Sequence, residues 1–532
     1  MNRKILFFSA LIISFVCHQN SLQSAEDSSS YIGEIKIQNK SIYDFDREDL
    51  PFMPYGIINK LHIVTRDRII RRELLFRTGD ELDRNVIAET ERRLRSFSFI
   101  RVADINLEHA ENNKMNAVVY TQDSWTTEPQ ISIGGGGGKA RYAFGVEEKN
   151  FLGLGKELGL FYANDENDSI SRQLFYNDPH FLPGHWKLES FFSNIDEGSM
   201  NMISVLRPYY KLDTNWAADV NWVNNNVEED IYLNNETIAS FSHAGYKTEV
   251  SASNNIYTGN LTAYRAGLGF NNETNNFYGL ESASITALPG NYEIKGPLVS
   301  FQRLHYDYIK VKNVNTFMKD EDYNLGQDIK IKYVYGSEDF GIEKDASYIS
   351  LKNSNGLYFG KENFLLAELK ANGLYLDKKP RNLVAESKIS YYNRIFSNQT
   401  LGLNMTGIFG KNLDINNQVV LGGLNGLRGY PAREFTGNKG LLFSLEDRIF
   451  WAEEYLSIVG VGGVVFFDSG FAWDKGESIS ISDLKSDIGF GFRFALPRSC
   501  EAIVFRLDFA YALDKVRDED RFVISFGSGQ SF

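Results

Sequence analysis

The 532-residue chain carries two cysteines, seven histidines and eleven prolines. Two cysteines cannot brace a disulfide scaffold. Cations are also in deficit: 56 Lys and Arg against 69 Asp and Glu leave a net charge of −13. That balance excludes the basic face with which a nucleic-acid binder neutralises phosphates. Past the N-terminus no apolar run approaches the roughly 20 residues that a membrane-spanning helix needs. There is no HExxH, no paired CxxC and no GxSxG elbow, and the histidines show no ligand spacing. Neither an enzyme nor a metal or cofactor site is therefore expected. Gly489, Gly491 and Arg493 superficially resemble a glycine fingerprint, but they alternate within a strand-like run instead of opening a helix.

What the chain has in quantity is aromatic residues (39 Phe, 28 Tyr and 6 Trp) and 45 glycines, with 43% hydrophobic residues overall. This is enough apolar surface to fold. Residues 1–25 read as an export signal: Arg3 and Lys4 at the front, an apolar run from Ile5 to Val16, then a mostly polar stretch ending near Ala25. The bulky residues before Cys17 argue against a lipid-acylation site. Removal of the signal leaves Cys500 as the one thiol.

The hydrophobic period changes near Asp123. Before it, Gly56 to Thr65 reads as a strand and RDRIIRRELLF as a helix. In a second helix, Val86, Ile87, Thr90 and Leu94 recur at three-to-four spacing, with Asp83 as its cap. Phe99 to Glu108 and Met115 to Thr121 then read as strands. Residues Ile32 to Phe52 add a further strand or form a lead; their alternation is too short to decide. The whole is one small α+β domain.

From Glu128 the period is two. Ile488, Phe490, Phe492 and Phe494 alternate with Gly489, Gly491, Arg493 and Ala495. Ile503, Phe505, Leu507, Phe509 and Tyr511 alternate with residues that include Arg506 and Asp508. A mid-strand charge suits a closed sheet with lipid outside and a polar interior better than a two-layer sandwich. Short and long connections alternate back from the C-terminus, as in outer-membrane barrels. Nineteen candidate strands are countable between Gln130 and Phe532, and chain length suggests an even barrel of about 16. The expected fold is mainly β: a transmembrane antiparallel β-barrel behind one small α+β domain.

Four ordered motifs carry a resemblance. They are LGGLNGLRGYPAREFTGNKG (Leu421 to Gly440), LLFSLEDRIF, VVFFDSG and DIGFGFRF, ahead of a C-terminal Phe532; NFLGLGKELGLFY begins at Asn150. Together they resemble the BamA/TamA family, outer-membrane assembly factors with periplasmic POTRA domains and a bacterial surface antigen type barrel. The resemblance implies a POTRA domain with its lead over residues 31–122 and a barrel over 128–532, in the bacterial outer membrane with the POTRA domain in the periplasm. Outer-membrane lipid, unfolded outer-membrane or secreted polypeptides and periplasmic accessory proteins are the implied partners.

Arg428, Gly429 and Tyr430 match the family's Arg-Gly-aromatic loop signature, and in that family the loop folds into the lumen and its Arg meets acids on the following strands. By parity Glu446 faces inward, and the resemblance places Asp468 there too. A fork of guanidinium donors can serve both carboxylates. The bland alternative is an exposed loop Arg with the two acids lining a wet lumen. Gly134, Gly135, Gly136, Gly137 and Gly138 lie in what resembles the first barrel strand, which must meet the last, near Phe532, at a seam. Glycines weaken pairing there; a tight bend or frayed entry explains them equally well. The function that follows is assisted insertion or translocation of polypeptides. Secretion of a dedicated passenger, or a plain pore, are the alternatives.

Overall fold

The computed structural model describes residues 30–530 apart from 49, 51–54, 137–138, 165–169, 197, 280–287, 397, 424, 475, 478, 501 and 517–519. The export segment, Gly137, Gly138 and Phe532 lie outside the described residues. No described helix is long and apolar enough to cross a membrane, which says nothing of strands.

The first region contains β1 (Tyr31–Lys40), α1 (Tyr55–Leu61), α2 (Asp67–Glu73), α3 (Arg84–Arg95), β2 (Ile100–Ala110) and β3 (Lys114–Asp123). Its sheet has the order β1-β3-β2, with β1 parallel and β2 antiparallel to β3. Ile87, Thr90 and Leu94 form the buried stripe of α3, and the Asp83 carboxylate caps it by accepting from the Asn85 amide at 2.8 Å. Leu94, Ile70, Phe99 and Val119 share one core with Ile32 of β1. The strand expected at Gly56 to Thr65 is instead α1 followed by a loop. Tyr55 and Ile58, one helical turn apart, pack on Ile42 and Tyr43, while Asn59 bonds both the Tyr43 amide and carbonyl. Tertiary packing here overrides the β preference of the isoleucines.

From β4 (Thr127–Gly136) and β5 (Lys139–Glu148) onward the chain builds one antiparallel sheet. Among the described residues it has twenty strands, and its order returns from the last strand, Phe522–Ser528, to β4. The count exceeds the expected 16 because several connections are only two residues long. Asn234 and Asn235, Asn260 and Leu261, Lys361 and Glu362, and Asp377 and Lys378 all take positive φ. This is the geometry of tight hairpins whose twist matches the strands they join. None of these pairs contains glycine or proline; Asn or Asp marks three of them, but Lys361 and Glu362 carry no turn signal at all.

Side chains segregate as the period of two requires. Phe490, Phe505, Tyr511 and Ile524 are exposed on the outside, whereas Asp487, Arg493 and Asp508 are buried inside. The first region sits across one mouth of the ring. Arg498, in the turn after strand Lys485–Ala495, donates to Glu48 at 2.6 Å, to Glu454 at 3.2 Å and to the Ile42 carbonyl at 2.8 Å.

Candidate functional site

Loop 412–438 joins strand Gln399–Lys411 to strand Lys439–Tyr455. It carries its own two-stranded hairpin, Val419–Leu421 with Phe435–Gly437, and its tip turns into the interior of the ring. There the Arg428 guanidinium reaches two acids. Nε and Nη2 donate to the two oxygens of Asp468 at 2.7 and 2.9 Å, and Nη1 donates to Glu446 at 2.6 Å. Cross-strand register brings the acids together: Ser444 lies opposite Asp468 and Glu446 opposite Phe466, so both carboxylates share the inward face. The guanidinium also stacks on Phe466, 3.4 Å from the ring centroid. Arg428 is 1% exposed and both acids 0%. At such burial the cation holds because each guanidinium nitrogen meets a carboxylate oxygen; removing it would strand two carboxylates.

The neighbours of Arg428 explain the rest of the tripeptide. A Cβ on Gly429 would lie 2.5 Å from the Asp487 Cβ and 3.0 Å from the Ala512 amide nitrogen, so the close approach of loop to wall needs glycine. The Tyr430 hydroxyl donates to the Ser486 carbonyl at 2.8 Å, and its ring meets Phe435 edge-on. The loop's other flank holds the opposite wall: Gln418 bonds both the amide and carbonyl of Tyr232, and Arg433 stacks on the Tyr232 ring at 3.9 Å. Asp508, also on the inward face, pairs with Arg493 at 2.6 Å and lies 3.8 Å from Arg506.

Two features escaped sequence reasoning. Arg448, two residues on from Glu446 and on the same inward face, donates from Nε to Glu446 at 2.8 Å, so that one acid serves both arginines. Residues 306–327 form a second insert at the opposite end of the ring, with a hairpin of Tyr308–Val311 and Glu321–Asn324. Phe317, 1% exposed, stacks edge-on against Phe450. The available signal was Gly460 and Gly462, small residues at inward positions in VGVGG, where a Cβ would come within 2.6 and 2.9 Å of the Phe317 ring.

At the seam, the glycines that are described, Gly134 to Gly136, pair regularly with Lys139 to Arg141 of β5. Toward the last strand the described residues of β4 make one register pair, Gly135 with Phe526. Other neighbours in the ring make between seven and eighteen.

The Omp85 superfamily domain matches residues 150–532, and the chain belongs to the Omp85 superfamily of outer-membrane proteins. It is similar to a solved structure of BamA from Haemophilus ducreyi lacking POTRA domains 1–3, at 14% identity, 94% of this chain, 85% of that chain and a TM-score of 0.39. It is also similar to CdiB from Acinetobacter baumannii, at 10% identity, 94% of this chain, 74% of that chain and a TM-score of 0.46. CdiB from Escherichia coli follows at 11% identity, 93% of this chain, 76% of that chain and a TM-score of 0.46. No curated protein sequence matches the chain. The superfamily is thereby assigned; these likenesses do not separate the BamA/TamA branch from its relatives.

Proposed function

We propose that the protein is an assembly factor that helps polypeptides enter the outer membrane, with residues 128–532 as a closed membrane-spanning barrel and residues 31–122 as a single periplasmic POTRA domain. The observation that carries this reading is the seam. A wall joined, among the described residues, through one register pair, on a strand rich in glycine, is the cheapest place to part the barrel, because few ladder hydrogen bonds are lost. An incoming strand would replace them, and in lipid every unpaired backbone group presses toward such pairing. In the domain, β2 has no strand on its outer side among the described residues; Glu91 and Arg95 of α3 hold the Ile105 amide and the Ala103 carbonyl there, and an extended peptide displacing them would gain main-chain bonds along that edge.

Export of a dedicated passenger through the lumen is the second reading. It requires loop 412–438 and the 306–327 insert both to leave the interior, which weighs toward the wall. The deciding measurement is quantitative mass spectrometry of outer-membrane and secreted fractions from a deletion strain, complemented with wild type or Arg428→Ala. Loss of integral barrel proteins, restored by wild type alone, is the expected result; loss of one secreted polypeptide would move the assignment to passenger export, and no change in either fraction would leave a pore. A disulfide joining Gly135→Cys to Phe526→Cys should abolish insertion, and full activity with the seam locked would rule out lateral opening.

A further inference from the structure

Strands at the domain-side mouth are joined by as few as two residues, as at 260–261 and 361–362, but residues 306–327 make a long excursion there. Its tip is built to hold a shape. The Glu321 carboxylate accepts from the amides of Val314, Asn315 and Thr316 at 3.0, 3.0 and 3.2 Å. Asn313 and Met318 supply left-handed corners at φ of +59° and +61°. The shaped tip lies inside the ring. Two inward-facing residues bind its backbone: the Thr400 hydroxyl donates to the Asn313 carbonyl at 2.7 Å, and Arg448 Nη1 donates to the Val314 carbonyl at 2.8 Å. Phe317 fills the space that Gly460 and Gly462 leave in the wall.

The base of the same hairpin stands on the N-terminal domain. Arg95, in the last turn of α3, makes a two-pronged pair with Asp322, both bonds at 2.8 Å. Arg92 of the same helix stacks on Tyr308 at 4.5 Å. At the other end, Arg448 also bonds Glu446, the acid that holds Arg428. Directed polar contacts therefore run without a break from α3, through the hairpin, to the loop that closes the far mouth.

We propose that residues 306–327 are an internal plug that closes the lumen from the domain side, and that α3 is the handle that seats it. Displacement of the domain breaks the Arg95–Asp322 pair, the hairpin loses its base, and the tip withdraws from the pocket between Phe450 and Gly462. Because Arg448 is shared, withdrawal also frees one arm of the cluster around Arg428, while loop 412–438 keeps its own bonds from Arg428 to Asp468 and Glu446. The device does not depend on which polypeptide the protein handles.

The test is single-channel conductance of the purified full chain in planar lipid bilayers. Arg95→Asp and Asp322→Arg should each raise open probability several-fold, and the double exchange, which restores the pair with its charges reversed, should return it to the wild-type level. Phe317→Ala lies in a connection and alters no strand, so it remains readable where a charge variant does not fold, as judged by heat-modifiable gel mobility. It too should leak. A folded Phe317→Ala chain conducting as wild type would overturn the plug, and a double exchange as leaky as the single ones would overturn the handle.

Discussion

The two inserts that meet inside the ring are held by opposite means. Loop 412–438 is fixed by a buried side-chain cation between two acids, whereas the 306–327 hairpin is fixed through its own carbonyls and one aromatic ring seated against glycines. The first arrangement is strong but brittle, since losing one partner strands buried charge. The second spreads its hold over separate bonds, about 1 kcal/mol net for the Thr400 hydroxyl and about 1.5–3 kcal/mol for the charged Arg448 donor, so it can let go in steps. A latch and a releasable plug call for that difference.

Substitutions can break this contrast, and their effects should fall in order. Arg428→Ala should cost about 3–5 kcal/mol, the range for an uncompensated buried pair, read as a lowered denaturant midpoint for loss of heat-modifiable mobility. Arg428→Lys keeps the charge but not the fork, and should recover part of it. Gly462→Leu, which drives a side chain into the Phe317 ring, should cost about 1–3 kcal/mol as overpacking. Its sharper mark would be faster proteolysis within residues 306–327 while loop 412–438 stays protected. Thr400→Val leaves the Asn313 carbonyl without that donor and should cost about 1 kcal/mol or slightly more, measured by hydrogen exchange in the hairpin. Equal loosening of both inserts in that variant would erase the contrast.

The smallest effect is one of pH at the domain contact. Burial opposes ionisation of Glu48, but hydrogen bonds from Arg498 and Gln122 win and hold its carboxyl below the usual value. A depressed pKa means stability that is present above the unfolded value of about 4.3 and is lost as pH falls through the folded one. Acid should therefore loosen the domain, and with it the hairpin, before it reaches the far loop. Spin labels on α3 and on the 456–458 turn should move apart below about pH 4, and Glu48→Gln should remove the pH dependence.

What was legible in the sequence follows the same division. Alternation exposed the late strands and set Glu446 at inward parity, whereas Arg428 and Asp468 were reached through the family resemblance that the Arg428-Gly429-Tyr430 loop carries. The stripe of α3 and its Asp83 cap were equally plain. The 306–327 plug was hidden because its bonds use main-chain carbonyls, which every residue has, and because its seat is an absence of side chain at Gly460 and Gly462. The strand number was obscured by turns such as Lys361–Glu362, whose residues carry no turn signature. At α1, a run of β-branched residues pointed to a strand until contacts with Ile42 and Tyr43 decided otherwise.

The hairpin of Trp216–Leu233 and Glu236–Gly259 is out of scale with its surroundings. Its second strand has 24 residues, ~80 Å of extended chain, against a hydrocarbon thickness of about 30 Å. Even steeply tilted, a large part of it stands clear of the bilayer as a stiff mast, and Tyr232 near its top is where Gln418 and Arg433 are moored. Anything that pushes on that mast, at the end of the ring away from the N-terminal domain, gains mechanical leverage over loop 412–438, whose Gln418 and Arg433 are tied to it.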